Sequence, residues 1–477
     1  MGTRDHDPAL GRQPGRVAAW AGLLVMVAIG GAGLAVTGRL QAVPVNDTPS
    51  YQDFSFQTWQ GSLDSIRTPL FPLLLKTVEA ATGSLAAMPT VHFLLFAAAV
   101  LVFHAGLLAN GCSSARSAVI AGSLLISNIL WGYVSTLATD TVAAAAGVAV
   151  LGAILLVAGT RQRGFSNWWL WLLLSILVTV GWLLRPANLF LVPLTMIAVP
   201  MLQVSNSLRL RGWRSALRSF LITSTVVCVP LLAYCGLRSN VVGKFGIVSF
   251  GGYNLIGVTG QFLDAELVPQ LPADLQPLAN AALARKTALP ADEFPLPHEP
   301  RLHYMRMEVG YDVYIWKLFV PAAQEVSGNN AAAVNTQLKQ LGAALAILRP
   351  RDYVTWLLKA ARQALFKLLG DFTLNYAGGP MMMGTAVLAI LATLRKWSNP
   401  AVAATPEGMK IINILFCLVA LYAGLSLLLV ILVCPPLGRM TDAAAIGLAP
   451  LVVAAFCEFT AQLLMRPSEE RRPVGDP

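Results

Sequence analysis

Ten apolar runs, most of them near the length needed to cross a hydrocarbon core, constrain this chain more than any other feature. They fall at 17–38, 87–109, 117–134, 141–159, 167–184, 186–203, 218–237, 377–394, 411–434 and 443–465. A bilayer demands about 20 apolar residues per helix. Composition agrees, with 56% hydrophobic and 12% charged residues and a mean hydropathy of +0.63, against about 25% charged residues in an ordinary soluble domain. The expected fold is an all-α polytopic membrane protein with about ten transmembrane helices, interfacial helices and one large extracytoplasmic loop region.

The net charge of +10 raises the question of nucleic acid. The arginines lie in short clusters between apolar runs, with no basic stripe interleaved with stacking aromatics, so no nucleic-acid partner is expected. Membrane topology accounts for them instead. Cysteines 112, 228, 235, 417, 434 and 457 form no CxxC pair and mostly sit inside apolar runs, which makes them core thiols. Arg4, Arg12 and Arg16 precede the first run, and no small-residue cleavage site leads from it into a soluble domain. It reads as a retained helix with the N-terminus cytoplasmic.

The segment "TPLFPLLLKTVEAATG", residues 68–83, decides the parity of the spans. It is short, holds two prolines, and carries Lys76 and Glu79. Counted as a span, it would put Arg161, Arg163, Arg209, Arg211, Arg214 and Arg218 outside, against the positive-inside rule. Left out, it puts them inside together with Arg116, Arg395, Lys396, Lys410 and the tail arginines 466, 471 and 472. Residues 69–82 are therefore expected to form a helix in the outer interface. The resulting plan has a cytoplasmic tail at 1–16 and a seven-span module at 17–237 with its first outer loop at 39–86. An outer loop region at 238–376, three further spans at 377–465 and a cytoplasmic tail at 466–477 complete it. The chain is expected to be a multi-pass protein of an inner or plasma membrane, with both termini cytoplasmic.

With this topology the rarer charges gather on the outer face. Asp47, Asp53, Asp64 and Arg67 lie in the first outer loop. Asp140 in "STLATDTV" is at the outer end of the fourth span, Arg185 in "LLRPAN" lies between the fifth and sixth, and Arg439 in "PPLGRMTD" precedes the tenth. A charge at the hydrocarbon boundary costs a few kcal/mol unless it is paired or faces water, so these residues are site candidates. Outer loops also carry charges without function, and for Asp53, Asp64 and Arg439 that reading stands equally.

The outer region opens with "GKFGIVSFGGYNLIGVTGQF", whose glycines lack the strand, turn and helix order of a nucleotide loop and read as tight turns. Its middle is proline- and alanine-rich loop with short helices. His298 and His303 in "HEPRLH" are spaced five apart across a proline, which sets them on different sides of a helix; a solvated loop is expected there. In "RDYVTWLLKAARQALFKLLGDFTLNY" the positions Tyr353, Trp356, Leu357, Ala360, Ala361, Ala364, Leu365, Leu368 and Leu369 recur at helical spacing. Lys359, Arg362, Gln363 and Lys367 fill the other side. A basic amphipathic helix on the membrane surface is expected.

"NDTPSY", "RTPLFPLLLK", "LATD", "LLRPANLFLVPL" and "FGGYNLIG", in this order over roughly residues 15–260, resemble the polytopic glycosyltransferase C superfamily. Within it they are most similar to the family 39 and aminoarabinose-transferase-like branch, which includes protein O-mannosyltransferases. The resemblance implies transfer of a sugar from a polyprenyl-phosphate carrier to a lipid, glycan or protein acceptor at an extracytoplasmic site. It implies Asp47 as the base, with Tyr51 completing the aspartate, three residues, tyrosine pattern. Arg185, Arg67 and Arg439 would hold the phosphate, with Asp53 and Asp140 among the substrate-binding residues. Thr48 and Pro49 stand where many relatives carry a second acid, leaving fewer carboxylates for Mg²⁺ or Mn²⁺; no cofactor is expected, with either ion left open. "GRMTDAAAIGLAP" departs from the family's arginine-tyrosine signature. The alternatives are a polyprenyl-linked polysaccharide polymerase, whose arginine-rich outer loops are not evident, and a lipid-linked-sugar transporter, for which no internal repeat is found.

Overall fold

The computed structural model describes residues 13–162, 167–204, 212–290, 307, 310–375, 377–398 and 406–464. Among them, nine helices are long and apolar enough to cross a membrane. Trp168–Leu184, an apolar helix of 17 residues, occupies the place of the fifth run. Each of the ten apolar runs is thus helical over most of its described length, and the chain is an all-α polytopic membrane protein. Of the residues discussed above, Arg4, Arg12, Arg163, Arg209, Arg211, His298, His303 and the tail arginines lie outside the described residues.

The fourth span, Asp140–Gln162, is the centre of the bundle, almost wholly buried where its neighbours are half covered. Its sequence explains the position. Alanines and glycines along "DTVAAAAGVAVLGAILLVAG" leave room for other backbones to approach, the usual device for helix packing in lipid. At Gly152 a β-carbon would fall 2.7 Å from the backbone nitrogen of Phe103 on the second span, so only glycine fits. The third span is broken: Ser114–Gly122 and Asn128–Tyr133 are joined by a 3₁₀ turn and by Ser127 in extended conformation.

Leu70–Thr82 is a 13-residue helix, about 20 Å long and too short to span. Phe71, Leu75 and Val78 pack against Tyr51, Leu137 and Val142, while Leu73, Lys76 and Glu79 are exposed. A short helix is present where its prolines and charges led one to expect it, and it seats the first loop on the spans.

The 251–360 region has a core of its own, in which Tyr253, Ile256, Leu278, Leu318, Leu341 and Trp356 meet Val430 and Cys434 from the ninth span. The glycines of "FGGYNLIG" lie in the helix Gly251–Thr259 and serve close packing, not the tight turns expected of them; Gly243 and Gly246, at φ 70° and 134°, make turns ahead of it. A β-carbon on Gly252 would lie 2.0 Å from Asn335 O, and Gly252 N–H donates to Asn335 Oδ1 at 2.8 Å.

Pro350–Thr373 is the basic helix, with a different division of faces from the one its spacing suggests. Trp356, Ala360, Ala364 and Leu368 are buried against the protein. Leu358, Leu365, Phe366 and Leu369 are exposed, beside exposed Lys359 and Arg362. Lys367 does not share that basic face. Its ammonium reaches Gly438, where a β-carbon would lie 3.1 Å from it.

The two ends of the tenth span differ. Arg439 stands at its start, whereas at its far end Arg116 pairs with Glu458 at 3.1 Å and Arg395 donates to Gln462 O at 3.0 Å.

Candidate active site

Position 47 is fixed by its backbone before any charge is considered. Val43 forms an isolated parallel bridge with Thr136: its N–H donates to Ser135 O at 2.8 Å, and its carbonyl accepts from Leu137 N–H at 2.9 Å. Buried Thr48 Oγ1 donates to Leu137 O at 3.0 Å. The first loop therefore lies alongside the 135–137 turn that leads directly into Asp140. His92 Nδ1 hydrogen-bonds Val134 O at 3.0 Å and holds the start of that turn.

Asp47 precedes the short helix Thr48–Gln52, whose buried Tyr51 meets Phe71 edge-on at 4.9 Å between centroids. Arg67 reads that one turn. It donates from Nε to Ser50 Oγ at 2.8 Å, from Nη1 to Tyr51 Oη at 3.2 Å and from Nη2 to Asp47 Oδ1 at 2.7 Å. Its guanidinium also lies 4.5 Å from the centre of the Tyr51 ring, a cation over an aromatic face. The second oxygen of Asp47 accepts from Arg439 Nη1 at 2.8 Å. Arg439 reaches it from the helix Gly438–Ala444, which starts beyond Pro435 and Pro436.

Asp140 and Arg185 form a second ion pair beside the first. Asp140 opens the central helix, where the positive end of the helix dipole favours a carboxylate. Arg185 precedes Pro186, and a residue before proline is driven out of helical conformation. Its backbone is extended at φ −151° and ψ 122°, which ends the fifth span and frees the side chain to turn toward Asp140. Asn188 Nδ2 donates to Ala143 O at 2.9 Å and ties the following turn to the central helix.

Asp47, Tyr51, Arg67, Asp140, Arg185 and Arg439 are thus brought together from four stretches of chain. Asp53 is not. It caps the end of Thr48–Gln52 with its backbone, is exposed, and among the described residues takes part in none of the ion pairs. Asp64 pairs with Lys244 at 3.1 Å, away from the Asp47 pair.

Electrostatics follows the geometry. Burial alone would raise the Asp47 carboxyl, but the charges and hydrogen bonds of Arg67 and Arg439 together hold it below its ordinary value. Asp312 is close enough to feel both Asp47 and Arg439; desolvation, aided by the charge of Asp47, outweighs the lowering by Arg439 and pushes its carboxyl up.

A second polar cluster adjoins the first, and the sequence reading missed it. Asp442, one turn after Arg439, accepts from Tyr133 Oη and Asn128 Nδ2, each at 3.3 Å. Asn375 donates to Asn128 Oδ1, and Asn128 Nδ2 also reaches Asp371 O at 3.3 Å. Burial lowers the Lys367 ammonium and raises the Asp371 carboxyl. The signal was present in the sequence, because Asp442 is a carboxylate at the mouth of an apolar run like Asp140.

Arg238 was also missed. It is 1% exposed at the end of the seventh span, donating to Leu63 O at 2.7 Å, to Gly246 O at 3.3 Å and to Ser249 Oγ. It thereby clips the first loop to the 246–249 turn. Among the described residues, no three His, Cys, Asp or Glu side chains are grouped to hold a metal ion.

Chemically, the site offers one carboxylate with a cation on each oxygen, a neighbouring carboxylate with a cation of its own, and a phenol. Such a set can bind a phosphate through planar donors and accept a proton. No family model matches the chain, and neither a curated protein nor a solved structure shows significant similarity to it.

Proposed function

We propose that this protein is a membrane glycosyltransferase that moves a sugar from a polyprenyl-phosphate carrier to a lipid, glycan or protein acceptor. The observation that carries the reading is the meeting of Arg67 and Arg439 on the two oxygens of Asp47, at 2.7 and 2.8 Å. An inverting displacement needs a base on one side of the anomeric carbon and cationic donors for the departing phosphate on the other. Asp47 takes the acceptor's hydroxyl or amine proton as the acceptor atom bonds to the anomeric carbon. The bond from that carbon to the phosphate oxygen breaks, and its electron pair leaves with the polyprenyl phosphate. Arg185, together with Arg67 and Arg439 once they let go of Asp47, supplies paired N–H donors for the phosphate oxygens. Their side chains are 19%, 34% and 13% exposed, so the ion pairs are only partly screened by water.

The orientation follows from charge. Arg116 and Arg395 cluster at one end of the tenth span and the candidate site at the other. The positive-inside rule supports a site on the extracytoplasmic face with both termini in the cytoplasm, the orientation proposed for a protein of an inner or plasma membrane. A carrier tail in the outer leaflet would meet the exposed apolar face of Pro350–Thr373, and its phosphate the neighbouring Lys359 and Arg362. Deleting the gene and profiling lipid-linked sugars tests the reading. One polyprenyl-phosphate sugar should accumulate, and an unchanged pool would count against a transferase.

A further inference from the structure

Resting on that reading, we propose that Asp47 is held idle by the same arginines that bind the donor phosphate, and that the phosphate releases it. The base then becomes competent only after the carrier has been seated.

Each oxygen of Asp47 is occupied by a different guanidinium, Oδ1 by Arg67 and Oδ2 by Arg439. A carboxylate matched by two cations is a poor proton acceptor, since its charge is already compensated. Non-bridging phosphate oxygens present to a guanidinium fork the same spacing and charge as a carboxylate. Phosphate and Asp47 therefore compete for the same N–H donors.

The donors are positioned without Asp47. Arg67 keeps Ser50 Oγ, Tyr51 Oη and the Tyr51 ring as partners. Arg439 rides on a helix anchored through Asp442 to Tyr133 and Asn128. When Asp47 is displaced, Arg67 stays aimed at the site and the anchored helix keeps Arg439 beside it. The other charged groups around Asp47 are Asp312 and, through Arg439, Asp140 with its partner Arg185. A phosphate that takes over the two arginines leaves Asp47 facing anions, which strengthens it as a base.

The test uses the purified full-length protein in detergent with farnesyl phosphate as probe, a short prenyl phosphate equivalent to the leaving group, and farnesol as control. Phenylglyoxal labelling of Arg67 and Arg439 reports phosphate binding. Carbodiimide labelling, which needs a protonated carboxyl, reports the state of Asp47, both read by peptide mass spectrometry at one pH. Farnesyl phosphate should protect both arginines and speed Asp47 labelling about tenfold, the change in protonated fraction that one pKa unit brings above the pKa. Farnesol should do neither. Arginine protection without faster Asp47 labelling would overturn the release while leaving the phosphate site standing. Absence of arginine protection would overturn the phosphate-binding reading and the release with it. Faster labelling with farnesol would assign the effect to the tail and overturn the proposal.

Discussion

At Asp47, stability and function draw on the same two ion pairs. Its folded carboxyl lies below the ordinary value, so the fold favours the ionised form. The stabilisation is complete at neutral pH and is lost as pH falls below roughly 4 toward the folded value. Replacing Asp47 with Asn should lower stability by about 1 kcal/mol at pH 7, a modest cost because a pair whose aspartate side chain is 27% exposed is partly screened. The gap to wild type in thermal melts should narrow as pH falls below the ordinary carboxylate range; a gap independent of pH would mean that the ion pairs do not stabilise the fold. Asp140, Arg185 and Arg439 were legible in the sequence because charges at the ends of apolar runs are costly and need partners, whereas Asp47 was singled out through "NDTPSY" in the first outer loop. Asp53 misled because an aspartate in a hydrophilic loop looks the same whether it faces a site or water. Arg238 was hidden because its partners are mostly backbone carbonyls, which leave no charge pattern to read.

Helix faces were harder to read than helix positions. The spacing in Pro350–Thr373 fixed a helix, but two apolar faces, one on protein and one exposed, look like a single broad stripe. Lys367 consequently looked like part of the basic face, although it turns toward Gly438. Changing Lys359 and Arg362 together to Gln should raise the apparent KM for an anionic carrier more than it lowers kcat, because that contact precedes the transition state. An unchanged KM would reduce the exposed face to a structural role. Close packing makes a separate prediction for the outer region. Gly252→Ala forces a β-carbon onto Asn335 O and should cost about 1–3 kcal/mol. Limited proteolysis of the 251–348 segment should accelerate accordingly, and unchanged protease resistance would refute the packing.

For the whole molecule, the expected parity rests on Leu70–Thr82 not crossing, and at 13 residues that helix is too short to do so. The proposed orientation predicts that single cysteines replacing Ser55 and Gln270, in a background lacking the six native cysteines, react with an impermeant thiol reagent on intact cells. One replacing Gly212 should stay unlabelled, and its labelling would invert the map. The central claim is sugar transfer from a polyprenyl phosphate with Asp47 as base. Its most direct measurement is the release of sugar from a polyprenyl-phosphate donor by purified wild type, Asp47→Asn and Asp53→Asn, with melting temperatures recorded in parallel. Asp47→Asn should lose about two to four orders of magnitude in turnover, the range of a positioned general base. Asp53→Asn, exposed and outside the ion pairs, should keep most of its activity. If Asp47→Asn stays folded and turns over at nearly the wild-type rate, Asp47 is not the base and the account fails.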